Sequence, residues 1–139
     1  MKNQFRHLAM TIGLSAVLGS SLLVAQTGNK ATADIPFGFQ VKDKAMPAGA
    51  YSVNETPNRG VLQVRNEQTG ASIMVMAPVA NAGKAEGSKL VFNRYGDRYF
   101  LSQIWFEGEG VGHGLGTGRL EKEIAVNYGT GVLASIRLK

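Results

Sequence analysis

The sequence predicts a single all-β domain, an antiparallel sandwich or barrel of about seven or eight short strands. Short apolar segments recur about every ten residues and are separated by turn residues, which is typical of antiparallel β proteins. The high glycine content, 18 of 139 residues, also favours short strands and many turns. The segment richest in large side chains is Lys89–Phe106, which contains the only tryptophan, Trp105. We therefore expect it to anchor the core.

This segment is predicted as two strands joined by Gly96 and Asp97, because glycine at the first position of a two-residue loop suits a type II′ turn. The turn predicts these facing pairs: Tyr95 with Arg98, Arg94 with Tyr99, Phe92 with Leu101, and Leu90 with Gln103. Alternation then predicts a core face of Leu90, Phe92, Tyr99, Leu101 and Trp105. The opposite face is too apolar to be fully wet, so a second layer or a partner covers it, or it exposes an aromatic patch.

Residues 1–33 are predicted to be an export signal with a helical apolar segment. Lys2 and Arg6 precede an apolar stretch, Leu8–Ala25, and Ala31-Thr32-Ala33 has the small-residue pattern of a cleavage site. Cleavage after Ala25 and retention as a membrane anchor are the alternatives, and cleavage is favoured over retention. The prediction is therefore an exported protein of the periplasm, cell envelope or extracellular space. Residues 34–139 would form the domain, with no membrane span left after cleavage.

The remaining elements follow from apolar periodicity and turn residues. The predicted strands are Asp34–Val41 at a sheet edge, Ala50–Glu55, Val61–Asn66, Ser72–Ala77 at a sheet centre, and Val132–Lys139. Arg119–Tyr128 fits both helical and strand spacing. We predict a short helix or turn over Leu120–Glu123 that passes into a strand.

Composition excludes several classes of function. The net charge of +5 includes three cations that precede Asp34, so the rest of the chain carries twelve basic and ten acidic residues without a basic run. Nucleic acid is therefore not an expected partner. Cysteine is absent, which rules out disulfides, thiol catalysis and zinc–thiolate sites. We expect no cofactor and no metal.

Residues 108–118 alternate glycine with other residues. The stretch matches neither a P-loop nor a dinucleotide-binding fingerprint, so we expect a mobile surface loop or a thin strand against which other backbone packs. His113 is the only histidine beyond the predicted leader. It could act in a hydrolase or metal-dependent enzyme with Glu107 and Glu109, or the pair Glu121 and Glu123 could serve that role. The favoured interpretations are that His113 is an exposed loop residue and that Glu121 and Glu123 lie on a solvated charged face.

The hairpin tip carries the candidate binding residues. It combines guanidinium and aromatic groups, a mixture that can bind an envelope protein or a glycan, in Arg94, Tyr95, Asp97, Arg98 and Tyr99. The alternative is local pairing, in which Arg94 stacks on the cross-strand Tyr99 and Asp97 pairs with a neighbouring arginine.

Three motifs resemble a family of small exported β-rich proteins encoded in bacteria of the acidobacterial type. The motifs are IPFGFQV, MPAGAYSV and KLVFNRYGDRYFLSQIW, and the match covers Asp34–Trp105, with Arg119–Ala125 as a further candidate stretch. The glycine-rich stretch and the last strand depart from the family's usual ending. The resemblance implies export and a compact β domain, and it carries over no activity and no site residues. The sequence thus favours a non-catalytic envelope or extracellular module that binds a partner or has a structural role, with oligomerisation through an edge strand left open.

Overall fold

A computed structural model describes residues 28–139, which form eleven β-strands and one α-helix. The strands are β1 (Lys30–Ile35), β2 (Phe39–Val41), β3 (Lys44–Met46), β4 (Gly49–Glu55), β5 (Val61–Asn66), β6 (Ser72–Met76), β7 (Val79–Ala82), β8 (Lys89–Tyr95), β9 (Arg98–Trp105), β10 (Val111–Gly114) and β11 (Val132–Arg137). The helix α1 spans Arg119–Tyr128. The strands outnumber the predicted seven or eight because β2, β3, β7 and β10 have only three or four residues each.

The strands form two sheets. The first sheet is antiparallel with the order β1-β4-β5-β6, and the second has the order β11-β8-β9-β10-β7. β2 joins the second sheet by a short parallel pairing of Gln40 with Phe100 of β9, and β3 pairs with β2. The predicted strand Asp34–Val41 is therefore split, because Pro36 and Gly38 lie where the chain leaves the first sheet for the second. The predicted edge position holds for β1, which ends its sheet, but not for β2, which lies between β3 and β9.

The inner faces of the two sheets pack against each other and bury the main core. The first sheet contributes fully buried Tyr51, Val53, Leu62 and Val64, and the second contributes Leu90, Phe92, Leu101 and Ile104. The all-β prediction is confirmed, and the arrangement is a sandwich.

The central hairpin of β8 and β9 follows the predicted register only as far as Phe92, which faces Leu101. Gly96 has the left-handed φ of 62° that the predicted turn requires. A bulge between Val91 and Phe92 then shifts the pairing, so that Leu90 faces Ile104. The bulge inserts one extra residue into β9 and reverses the faces beyond it. Ile104 and Phe106 consequently enter the core, and the prediction that Trp105 lies on the core face is wrong.

The outer face of the second sheet is covered in part by α1, which is the second-layer alternative. Tyr95 and Phe100 pack against Ile124 of the helix. The helix runs unbroken to Tyr128, so the predicted strand after Glu123 is absent. Its first turn is held from outside, since the Leu120 amide donates to Asp43 Oδ1 at 3.0 Å. This contact satisfies one of the N–H groups that a helix start leaves without an internal partner.

Two further predictions are corrected by the structure. β6 is an edge strand and not a central one, since it ends the first sheet and leaves Met74 and Met76 about two-thirds exposed, at 66% and 64%. The two methionines make both faces of the segment apolar, which is typical of a central strand, but their long flexible side chains lie at the surface here. The predicted loop at 108–118 contains β10, which pairs with both β7 and β9, so the thin-strand alternative is correct there.

Most of the predicted leader, residues 1–27, lies outside the described residues. Its last part lies in β1, where Ala31 and Ala33 are buried and pair with Val53 and Tyr51. In residues 28–139 there is no helix with the length and apolarity that a membrane crossing requires.

Candidate functional site

The five candidate residues of the hairpin tip are divided by strand alternation. Tyr95 turns to the outer face and is buried under α1, while Arg94 and Tyr99 lie together on the other side. Asp97 and Arg98 are exposed at the turn itself. The tip is therefore not one patch, and its members have different roles.

Arg94 and Tyr99 form the local pair that the sequence offered as an alternative. The Arg94 guanidinium carbon lies 5.5 Å from the Tyr99 ring centroid, and Arg94 Nε donates to the Gly96 carbonyl at 2.7 Å. Tyr99 also stacks on Phe37, with centroids 3.7 Å apart and planes inclined by 14°. These contacts hold the turn and the chain between β1 and β2 together, so Arg94 has a structural role.

Asp97, Arg98 and Tyr99 line one side of a groove of about 190 Å³. The other side comes from the β2–β3 hairpin and consists of Gly38, Phe39, Gln40, Ala45 and Met46. Gln40 Oε1 is buried and has no hydrogen-bond partner among the described residues. A buried acceptor without a donor is costly, and of the three such buried polar atoms in residues 28–139 it is the one whose residue lines this groove. We call this feature the tip groove.

Gln40 was missed by the sequence analysis. It is separated from Arg98 by more than fifty positions, and they meet only because β2 runs parallel to β9. The one signal in the sequence was a glutamine between two apolar residues of a strand, which is common on solvated faces.

Glu121 is buried and is not part of a solvated face, contrary to the prediction. Only 4% of it is exposed, and its Oε1 accepts from Asn93 Nδ2 at 2.8 Å and from the Tyr95 hydroxyl at 3.2 Å. Burial raises the pKa of Tyr95 above its ordinary 10.0, and the charge of Glu121 and the hydrogen bond to it raise the pKa further. Glu123 points away, with a side chain 66% exposed, so the two glutamates do not share a cleft.

His113 is also buried, at 4% exposure, although the sequence favoured an exposed loop position. Its Nδ1 lies 3.0 Å from the Ala77 carbonyl oxygen and its Nε2 lies 3.1 Å from Glu109 Oε2. The other carboxylate oxygen of Glu109 accepts from Asn29. Because an oxygen atom of the fold lies within hydrogen-bond distance of each ring nitrogen, neither nitrogen faces a substrate. The group joins three parts of the chain and acts as a structural tie.

The surroundings of His113, Glu107 and Glu109 do not form a metal site in the described part of the chain. Within residues 28–139 no three histidine, aspartate, glutamate or cysteine side chains lie close enough together to hold an ion. Glu107 is exposed, and its backbone amide donates to Ser88 Oγ at 2.8 Å.

No family model, curated protein or solved structure matches this chain. The resemblance to the exported acidobacterial-type family rests on the sequence motifs and stays a prediction.

Proposed function

We propose that this chain is an exported, non-catalytic β-domain that binds an extended segment of a partner protein in the tip groove. The observation that carries the proposal is the buried, unpartnered Gln40 Oε1 beside the exposed guanidinium of Arg98. A polypeptide backbone offers an N–H for the first group and a carbonyl for the second. Exposed Ala45 and half-buried Tyr99 supply the apolar contact for a side chain of the segment.

The size of the groove favours part of a larger partner over a free small molecule. Its volume of about 190 Å³ is below the roughly 300–1,000 Å³ typical of pockets that enclose a drug-sized ligand. A short length of chain from a protein partner needs no such enclosure, because contacts outside the groove add to its affinity. An envelope protein is the partner class that the predicted export makes available.

The non-catalytic part of the proposal is supported by the state of the acidic and basic side chains. His113 uses both ring nitrogens within the fold, and Glu121 is occupied by Asn93 and Tyr95. A general base must reach a substrate proton with a free lone pair. The contacts of His113 and Glu121 therefore weigh against the enzyme alternative.

Export is proposed with cleavage after Ala25 and not after Ala33. Cleavage after Ala33 would remove the first four residues of β1, including buried Ala31 and Ala33. It would also remove the reciprocal backbone hydrogen bonds of Thr32 with Lys139, at 3.1 and 2.8 Å. Cleavage after Ala25 leaves the strand complete.

The peptide proposal is tested by selecting a phage-displayed library of random twelve-residue peptides on the immobilised protein. Enriched peptides should bind Arg98→Ala and Gln40→Ala about tenfold or more weakly, since each variant removes a hydrogen-bonding group from the groove. Arg65→Ala is the matched control, because Arg65 is an exposed arginine of the first sheet. Peptides that bind all variants equally, or a failure to enrich any peptide, would contradict the proposal. Because Arg98 is exposed, its replacement should leave the melting temperature nearly unchanged.

A further inference from the structure

The outer face of the second sheet is open at the end that α1 does not cover. A depression of about 390 Å³ lies there, lined by Lys84, Glu86, Lys89, Ser135 and Arg137. We call it the basic basin. It lies at the start of β8, whereas the tip groove lies beyond the end of that strand, roughly 20 Å away for seven residues of extended chain. The two features are therefore separate sites.

Three cations of the basin lie close enough to repel each other, and no ion pair with a carboxylate offsets the repulsion in the described part of the chain. Arg137 and Lys89 are direct cross-strand neighbours on β11 and β8. Like charges at facing positions destabilise a sheet. Lys84 adds a third cation from the loop before β8. In the described part of the chain, none of the three forms an ion pair with a carboxylate.

Lys89 is held in place by an aromatic ring. Its ammonium lies 5.5 Å from the centroid of the Trp105 ring, and Trp105 is in turn fixed by a 2.9 Å hydrogen bond from its Nε1 to Gln103 Oε1. A cation over an indole is oriented without being neutralised. The ammonium thus remains available to an anion in the basin.

The remaining lining groups indicate more than a bare anion. Glu86 would repel a simple phosphate or sulfate, but its carboxylate accepts hydrogen bonds from hydroxyl groups. The Ser135 hydroxyl both donates and accepts. The basin continues past Arg137 and Glu86 into a second depression of about 510 Å³, which Ser88 and Glu107 also line. A ring that carries an oxyanion and several hydroxyls matches this set of groups.

We propose that the basic basin binds an acidic saccharide, with its oxyanion between Lys89 and Arg137 and its hydroxyl groups on Glu86 and Ser135. The oxyanion could be the carboxylate of a uronic acid or the phosphate of a phosphorylated sugar. The volume falls within the roughly 300–1,000 Å³ typical of small-ligand sites. The continuation into the second depression suits an oligosaccharide over a single ring.

The test is isothermal titration calorimetry of the full domain with four probes: trigalacturonate, glucose 6-phosphate, neutral galactotriose and inorganic phosphate. One of the two acidic sugars should bind at least about tenfold more tightly than the neutral trisaccharide and inorganic phosphate, and its affinity should fall as salt is raised. The acidic sugar that binds identifies the source of the oxyanion. Equal affinity for the acidic sugar and inorganic phosphate would contradict the claim that the ligand is a saccharide. If neither acidic sugar binds at millimolar concentration, the basin is not a binding site for acidic sugars.

Variants locate the binding. Arg137→Gln should lower the affinity for the acidic sugar about tenfold, because it removes one charge-assisted hydrogen bond. Arg65→Gln, on the other sheet, is the charge-matched control and should leave the affinity unchanged. Arg137→Gln should also raise the melting temperature slightly at low salt, since it relieves the opposition with Lys89. If Arg65→Gln weakens binding as much as Arg137→Gln does, the attraction is only the net charge and the basin is not the site.

Discussion

Single residues in this protein have roles that depend on which face of a strand they occupy. Glu121 and Tyr95, apart by twenty-six positions, meet because one lies on α1 and the other on the outer face of β8. Trp105 lies on that same outer face and covers a position where β10 has no side chain. A Cβ at Gly112 would be 2.5 Å from Trp105 Cε2, closer than any real contact. The glycine alternation of this stretch is thus explained in part by the indole that packs on it.

The alkaline stability of the domain should depend on Tyr95. Its pKa in the folded state is raised above 10.0 by burial and by Glu121, so the unfolded chain loses the phenolic proton first as pH rises. This contribution to stability is fully present below pH 10 and is lost as the pH rises from there through the folded-state pKa. Between pH 8 and 11, the free energy of unfolding measured with urea should fall more steeply with pH for the unmodified protein than for Tyr95→Phe. Parallel curves for the two proteins would mean that Tyr95 titrates alike in both states.

Gly112→Ala should destabilise the domain by about 1–3 kcal/mol, because the indole of Trp105 must move aside. Gly83→Ala is the matched control, since its Cβ would meet the same ring at an ordinary 3.7 Å. The emission of Trp105, the single tryptophan, reports the displacement directly. An unchanged melting temperature and spectrum for Gly112→Ala would refute the contact.

At the level of elements, the hairpin and the helix are fitted to each other. Phe100, before the bulge in β9, lies on the outer face, and the bulge turns Ile104 to the inner face, so the hairpin presents apolar side chains to both layers. The helix lies over the outer group and is held at its start by Asp43. Its net contribution comes from this docking, since a ten-residue helix is marginal alone in water.

Glu121→Ala should lower the free energy of unfolding by about 2 kcal/mol, because it leaves Asn93 and Tyr95 buried without their acceptor. Glu123→Ala, two residues along the same helix, should change it by less than about 0.5 kcal/mol, since its contact with Arg119 is exposed. Urea midpoints measured under the same conditions compare the two directly. Equal effects would show that Glu121 acts only through helix propensity.

At the scale of the whole molecule, the N-terminal strand closes the sandwich. β1 pairs with β4 along its full length and also contacts the end of the chain through Thr32 and Lys139. Asn29, just before it, bonds to Glu109, which holds His113. The first described residues therefore reach both sheets.

A chain beginning at Asp34 should melt at least about 10 °C lower than one beginning at Gln26, since it loses the equivalent of two or more buried hydrogen bonds. Mass spectrometry of the exported protein should correspondingly find a terminus at Gln26. The substitution Thr32→Ala keeps the backbone bonds and controls for the side chain. Equal melting of the two chains would remove the argument against cleavage after Ala33.

The sequence alone determined the fold class, the turn at Gly96, most of the register of the central hairpin, and the strands Ala50–Glu55 and Val61–Asn66. These depend on neighbouring residues, because alternation and turn chemistry act within a few positions. It also identified Asp97, Arg98 and Tyr99, which line the tip groove, and the local Arg94–Tyr99 pair.

Only the tertiary structure decided the rest. One extra residue in β9 turns Trp105 from the inner to the outer face of the sheet, and no local sequence pattern predicts the position of such a bulge. Glu121 and His113 are buried and not exposed to solvent because residues distant in the sequence cover them. Gln40 and Arg98, and likewise Lys89 and Arg137, become neighbours through strand pairing across long separations. The candidate sites belong to this second class, because a site is made where distant strands meet.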